Sequence, residues 1–209
     1  PSAMGFRRFH LIHHTHLGEY DHDADLVSFG EGRLVGNSTW RKALWMTFFM
    51  FSQGVLRPLR LKHVSLWNRW SVLNLVVILG VDLFILWAVG PSMLAYLALS
   101  TFFALGPHPL GGRWIQEHYI TTPGQETYSY YGPLNKLTFN MGFHNEHHDF
   151  FMAPWVHLPK IRALAPAHYD SLASYQSWSA VLWNFIWDKN MSPFSRVVHT
   201  KGGQEALEF

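Results

Sequence analysis

The sequence predicts an all-α integral membrane protein: a transmembrane helical hairpin under a cytosolic helical cap that carries clustered histidines. Three observations lead there. Two long apolar stretches, 72–89 and 93–107, are separated by a Gly90-Pro91 break. Charged residues make up 14% of the 209, where ordinary soluble domains carry about 25%. Histidines number 14, as many as Asp and Glu together, and six of them fall in two HxxHH patterns on either side of the apolar stretches.

Taken in chain order, Pro1 leads straight into the first cluster, His10-Leu11-Ile12-His13-His14, with no signal peptide, so the domain (1–209) is expected to begin upstream and this chain to be its C-terminal part. Residues 21–37 are polar and glycine-bearing and read as a loop. Residues 43–56 (ALWMTFFMFSQGVL) are apolar, short for a span and interrupted by Ser52, Gln53 and Gly54, so they read as an interfacial helix. Residues 72–89 would make a helix of about 27 Å, close to the bilayer core. Residues 93–107 run back. Arg57, Arg60, Lys62 and Arg69 precede the first arm and Arg113 follows the second, while the Gly90-Pro91 turn has no basic residue. By the positive-inside tendency both outer flanks are cytosolic. Asp82, inside the first arm, would cost about 2.5–3.5 kcal/mol at mid-bilayer, so it must face protein or water. Residues 121–133 read as a loop, and 158–165 and 177–187 as short cytosolic helices.

The second cluster is His144-Asn145-Glu146-His147-His148. Positions i, i+3 and i+4 share one helical face, so each cluster presents imidazoles together. Two spans between the clusters return the chain to the same side of the membrane, where they can share a site; three would separate them. Neutral imidazole is the commonest protein metal ligand. Six imidazoles exceed one tetrahedral zinc site, which implies two metals. His118, in Gln116-Glu117-His118-Tyr119, re-enters on the same side and is a seventh candidate. Asn140, Asn145, Glu146 and Asp149 are placed to orient the ligands from behind, with Glu117 and Glu126 as weaker candidates. His16, His22, His63, His157, His168 and His199 read as non-ligands. The absence of cysteine excludes thiolate zinc sites and cysteine catalysis, no HExxH supports a zinc peptidase, and a net charge of +2 gives no case for nucleic acid. His108-Pro109-Leu110-Gly111-Gly112 departs by one residue from the HPGG haem motif and is discounted.

The wording around these clusters is narrower than the clusters themselves. FRRFHLIHH, HPLGGRWIQEHY, GQETYSYYGPLN and NMGFHNEHHDF resemble the sphingolipid Δ4-desaturases (dihydroceramide desaturases), within the membrane fatty acid desaturases, over essentially the whole chain. The resemblance implies a multi-pass enzyme of the endoplasmic reticulum membrane with cytosolic histidine boxes. Two iron ions are held by His10, His13, His14, His144, His147 and His148, with His118 as a further ligand. O2 is the co-substrate and dihydroceramide the lipid substrate. Electrons come from cytochrome b5 and its NADH-dependent reductase. Two features depart from the pattern: the family's first box, HxxxH, is not in this chain, and Phe151 stands where proline is usual. Lipid hydroxylation, sphingoid C4-hydroxylation included, uses the same boxes and stays open, as does another fatty acyl desaturase. A non-catalytic zinc-binding membrane protein is the alternative of a different class.

Overall fold

The computed structural model describes residues 2–200 and 203–206; the expected domain limits, 1 and 209, lie outside the described residues. α1 (Ser2–Thr15) carries the first histidine cluster. α2 (Phe29–Val35) lies within 21–37, which corrects the expectation of a loop there. The Ser28 hydroxyl caps it by accepting from the Glu31 amide at 3.2 Å. Gly32, the second of its two glycines, is a packing requirement, because a Cβ there would overlap the Phe194 ring.

α3 (Thr39–Thr47), α4 (Phe49–Phe51), a π-turn (Ser52–Leu56) and α5 (Arg57–Arg60) run on from one another as a single broken helix, longer at both ends than 43–56. Its inner side buries Trp45, Met46 and Phe49. Its outer side exposes Trp40, Leu44, Phe48, Phe51, Val55 and Leu59, which recur at helical spacing.

α6 (Arg69–Ala88) is long and apolar enough to cross a membrane. Asn68 and Ser71 form a capping box at its start, and its apolar side chains are exposed nearly all round, with Asp82 partly buried. Gly90 then takes φ 101°, a conformation that side chains resist, and Pro91 opens α7 (Pro91–Leu105), where no N–H is needed. α7 packs back along α6. It reaches spanning length only together with Pro109–His118, to which it is bent by 52°.

The cap contains α8 (Gly112–His118), α9 (His144–Asp149), α10 (Leu158–Leu164), α11 (Pro166–Tyr169) and α12 (Trp178–Trp187). It also contains strands, a correction to the all-α expectation. β1 (Ser129–Tyr130) pairs in parallel with β2 (Ser174–Tyr175), and β3 (Val197–Thr200) in antiparallel fashion with β4 (Gly203–Ala206). Segments of two to four residues are too short to show a period of two. The main core joins α3, α8 and α12 through Met46, Ile115, Tyr119, Val181 and Phe185. α8 and α12 cross closely, since a Cβ at Gly112 would overlap the Trp178 carbonyl oxygen.

Candidate metal centre

Three helices bring seven histidines together: His10, His13 and His14 from α1, His118 from the end of α8, and His144, His147 and His148 from α9. They sort into two adjacent groups. In the first, Nε2 of His147 lies 3.0 Å from that of His10 and 2.9 Å from that of His14, and the last two are 3.2 Å apart. In the second, Nε2 of His118 lies 3.1 Å from that of His13 and 3.0 Å from that of His144. His148 completes it, with a ring nitrogen within 4.8 Å of the ligand atoms of His13 and His118. The rings of His14 and His148 are 4.4 Å apart, so the groups share a border.

These separations suit shared ions. Two nitrogens each about 2.1 Å from one metal, at angles of about 90–110°, are themselves roughly 3.0–3.4 Å apart. His148 Nε2 is buried with no hydrogen-bond partner, an omission that ordinarily costs about 1–3 kcal/mol and that a metal bond would remove. The electrostatics agree. Burial, then the charges of neighbouring histidines, lowers His10 to about 4 and His14 to about 3. The same causes hold His118, His144 and His148 well below the usual imidazole value. Neutral imidazole is the ligating form. His13 goes the other way: burial opposes its charged form, but the hydrogen bond and charge of Asp23 outweigh that and raise it.

Asp23 is a residue the sequence did not single out. Fully buried, it places Oδ1 3.0 Å from His13 Nδ1 and also accepts from the Asp25 and Gly18 amides at 2.8 and 2.9 Å. This fixes the Nδ1–H tautomer and turns Nε2 toward its group. Glu117 has its Oε1 3.8 Å from His144 Nδ1 and pairs with Arg113. Glu146, on the buried side of α9, accepts from the Ser129 and Tyr131 hydroxyls, each at 2.8 Å. Ser129 Oγ in turn accepts from the Asn145 amide at 2.9 Å, so β1 anchors the second cluster. Both side-chain polar atoms of Asn145 are buried and without partners. The other two candidates lie apart from the imidazoles. Asn140 donates to the Trp155 carbonyl at 3.2 Å, and Asp149 accepts from the Tyr169 hydroxyl at 2.8 Å. His16 stacks on His22 and His22 meets His63, away from both groups, and His199 pairs with Glu126 at 3.0 Å.

The histidines form one wall of a cavity of about 840 Å³. His10, His13, His118, His144 and His147 face it, and Phe6, Phe9, Leu59, Trp67, Leu105 and Trp155 supply apolar wall. Trp67, Ser71 and Leu105 lie at the near ends of α6 and α7. The arrangement places a largely apolar cavity beside a pair of candidate metal positions.

The fatty acid desaturase family model matches residues 2–179. A sphingolipid delta(4)-desaturase DES1-like protein of Oryza sativa subsp. japonica is 44% identical over 94% of this chain and 59% of its own length. A sphingolipid delta(4)-desaturase/C4-monooxygenase DES2 of Bos taurus is 42% identical over 94% of this chain and 60% of its own. The sphingolipid delta(4)-desaturase DES1 of Mus musculus is 39% identical over the whole chain and 64% of its own length. The chain thus spans about three fifths of the curated relatives it matches. No solved structure matches.

Proposed function

The chain belongs to the fatty acid desaturase family, and from that premise we propose that it carries the diiron-binding part of an O2-dependent sphingolipid Δ4-desaturase, which turns dihydroceramide into ceramide. The observation that carries the reading is the convergence of seven imidazoles in two groups, five of them on the wall of one apolar cavity. His10, His14 and His147 would hold one iron, and His13, His118, His144 and His148 the other. Two irons there would supply the oxidising power, drawn from O2, to remove hydrogen from unactivated methylenes, which no side-chain acid or base can do. The protein's own part is positioning. Phe6, Phe9, Leu59 and Trp155 hold the chain and exclude water, and Asp23 keeps His13 in its ligating tautomer. Electrons would come from cytochrome b5 and its NADH-dependent reductase.

The membrane placement is also proposed. Residues 72–89 and 93–107 form the hairpin, as helices that run from Arg69 to Ala88 and from Pro91 to Leu105, with 43–56 in the interface and the histidine cap cytosolic on the endoplasmic reticulum. Supporting it are the all-round exposure of α6, the apolar stripe from Trp40 to Leu59, and a cavity that reaches the near ends of α6 and α7. A lipid could then enter sideways from the leaflet. A glycosylation acceptor inserted at Gly90 should be modified in cells and one beside Asp149 should not; the opposite result overturns this topology.

The test of activity is expression of the whole protein in cells without their own sphingolipid desaturase, with lipid products identified by mass spectrometry. A new double bond between C4 and C5 of the long-chain base is expected. Desaturated acyl-CoA with dihydroceramide untouched would defeat the substrate assignment. A second reading, C4-hydroxylation, has support in the Bos taurus relative, a delta(4)-desaturase/C4-monooxygenase. It would show as a 4-hydroxylated base in the same spectra.

A further inference from the structure

Most of the cavity wall is apolar, as an alkyl chain requires, but Asp25 and Gln53 also face it and belong to neither histidine group. Gln53 lies in the π-turn Ser52–Leu56, and such turns within helical runs occur frequently at functional sites. Its amide Nε2 donates to Asp25 Oδ1, and its Oε1 accepts from Arg57 at 2.5 Å. Asp25 Oδ2 accepts from Arg196 at 3.3 Å. Arg57 and Arg196 are buried, so the carboxylate is charge-balanced from behind.

Hydrogen-bonding capacity is left over on the cavity side. A carboxylate accepts about four hydrogen bonds, and a primary amide donates two. Asp25 has taken two through its side chain, and Gln53 has given one. Asp25 keeps 20% of its side chain exposed. The pair therefore offers an acceptor beside a donor, which is what one hydroxyl group uses. The pair is also close to the histidines. The Asp25 amide donates at 2.8 Å to the Asp23 oxygen that meets His13, and the Asp25 charge acts on both His10 and His13.

A plain acyl chain has no mark along its methylenes, so choosing one pair of carbons requires a polar anchor. In a sphingoid base the carbon next to the reacting pair bears a hydroxyl. An anchor for it must lie close to the metal ligands rather than at the far end of the cavity. We propose that Asp25 and Gln53 bind this hydroxyl, Asp25 accepting a hydrogen bond from its O–H and Gln53 donating one to its oxygen, and so set which carbons reach the histidines. The inference rests on the sphingolipid reading above.

Trp67, Trp114 and Trp155 line the cavity, so tryptophan fluorescence can report lipid binding without turnover. The whole protein, in nanodiscs, is titrated with dihydroceramide, with its 3-deoxy counterpart and with an acyl-CoA. The unaltered protein should prefer dihydroceramide over the 3-deoxy lipid by roughly 10–100-fold, the worth of a hydrogen bond to a charged group. Gln53→Leu and Asp25→Asn should weaken binding of dihydroceramide, leave the 3-deoxy lipid unchanged and bring the ratio toward one. Equal affinity of the unaltered protein for the two lipids, or an undiminished ratio in Gln53→Leu, overturns the anchor. These two measurements decide the matter even if Asp25→Asn misfolds. Binding of acyl-CoA with none of dihydroceramide sinks the sphingolipid reading and the anchor with it. Binding and turnover of dihydroceramide without hydroxyl preference sinks the anchor alone.

Discussion

Asp23→Ala probes the support of the metal centre at its most buried point. The Asp23 carboxylate receives His13 Nδ1 at 3.0 Å, the Asp25 amide at 2.8 Å and the Gly18 amide at 2.9 Å, with no solvent exposure. Truncation leaves three donors without their acceptor, those of His13 and Gly18 buried, and frees the His13 ring to rotate or change tautomer. Loss of such a carboxylate behind a ligand typically costs roughly 10–100-fold in metal affinity. That corresponds to about 1.4–2.7 kcal/mol at 1.36 kcal/mol per tenfold step. Each lost hydrogen bond to a charged group would add about 1.5–3 kcal/mol to the folding deficit. Asp23→Asn keeps a carbonyl that can still accept from Nδ1, so it should fall between Ala and the unaltered protein. The assay is iron retention against graded chelator in the purified whole protein, with circular dichroism melting as the fold control. A folded Asp23→Ala protein that keeps iron at the unaltered chelator midpoint would refute the role given to Asp23.

Four further outcomes are expected. His118→Ala should empty one group and spare the other, taking bound iron from two per chain toward one; retention of both irons would remove His118 from the ligand set. Asp149→Ala should leave iron content unchanged, because its carboxylate meets the Tyr169 hydroxyl and no ligand; iron loss of tenfold or more would show otherwise. Gly112→Ala should destabilise by about 1–3 kcal/mol, as overpacking does, and lower activity because α8 carries His118; an unchanged melting temperature would count against the close α8–α12 crossing. Glu31 concerns pH: burial opposes its charged form, but the charge of Arg57 and hydrogen bonds from Ser52, Trp45 and Arg57 outweigh that and lower its pKa. A depressed folded pKa gives stability present above the unfolded value of about 4.3 and lost as pH falls through the folded one. The melting-temperature gap between the unaltered protein and Glu31→Gln should therefore narrow as pH drops below that value; a constant gap would contradict the assignment.

The two histidine clusters were legible because three and four residues apart means one face on any helix, whatever surrounds it. His118 was legible only from its place after the second apolar arm. Asp23 was not, since it reaches His13 through the turn at Gly18, where φ is 74°, and no spacing rule encodes that return. Asn140 and Asp149 show the opposite effect. Both adjoin the second cluster in sequence, but α9 is only six residues long and ends at Asp149, and its carboxylate turns to α11. The Gly90-Pro91 break was readable from residue chemistry, whereas α2 was hidden because Gly32 serves packing rather than a turn. Ser129 sits in a strand of two residues and Tyr131 directly follows it; together their hydroxyls hold Glu146 from across the cap.

We propose that these seven imidazoles hold two irons. Mössbauer spectroscopy, together with metal analysis, on the whole protein grown with enriched iron tests it most directly. About two irons per chain in nitrogen-rich sites are expected, with His147→Ala and His118→Ala each removing a different half of the signal. Zinc in place of iron, or a single iron whose spectrum survives both substitutions, would contradict it.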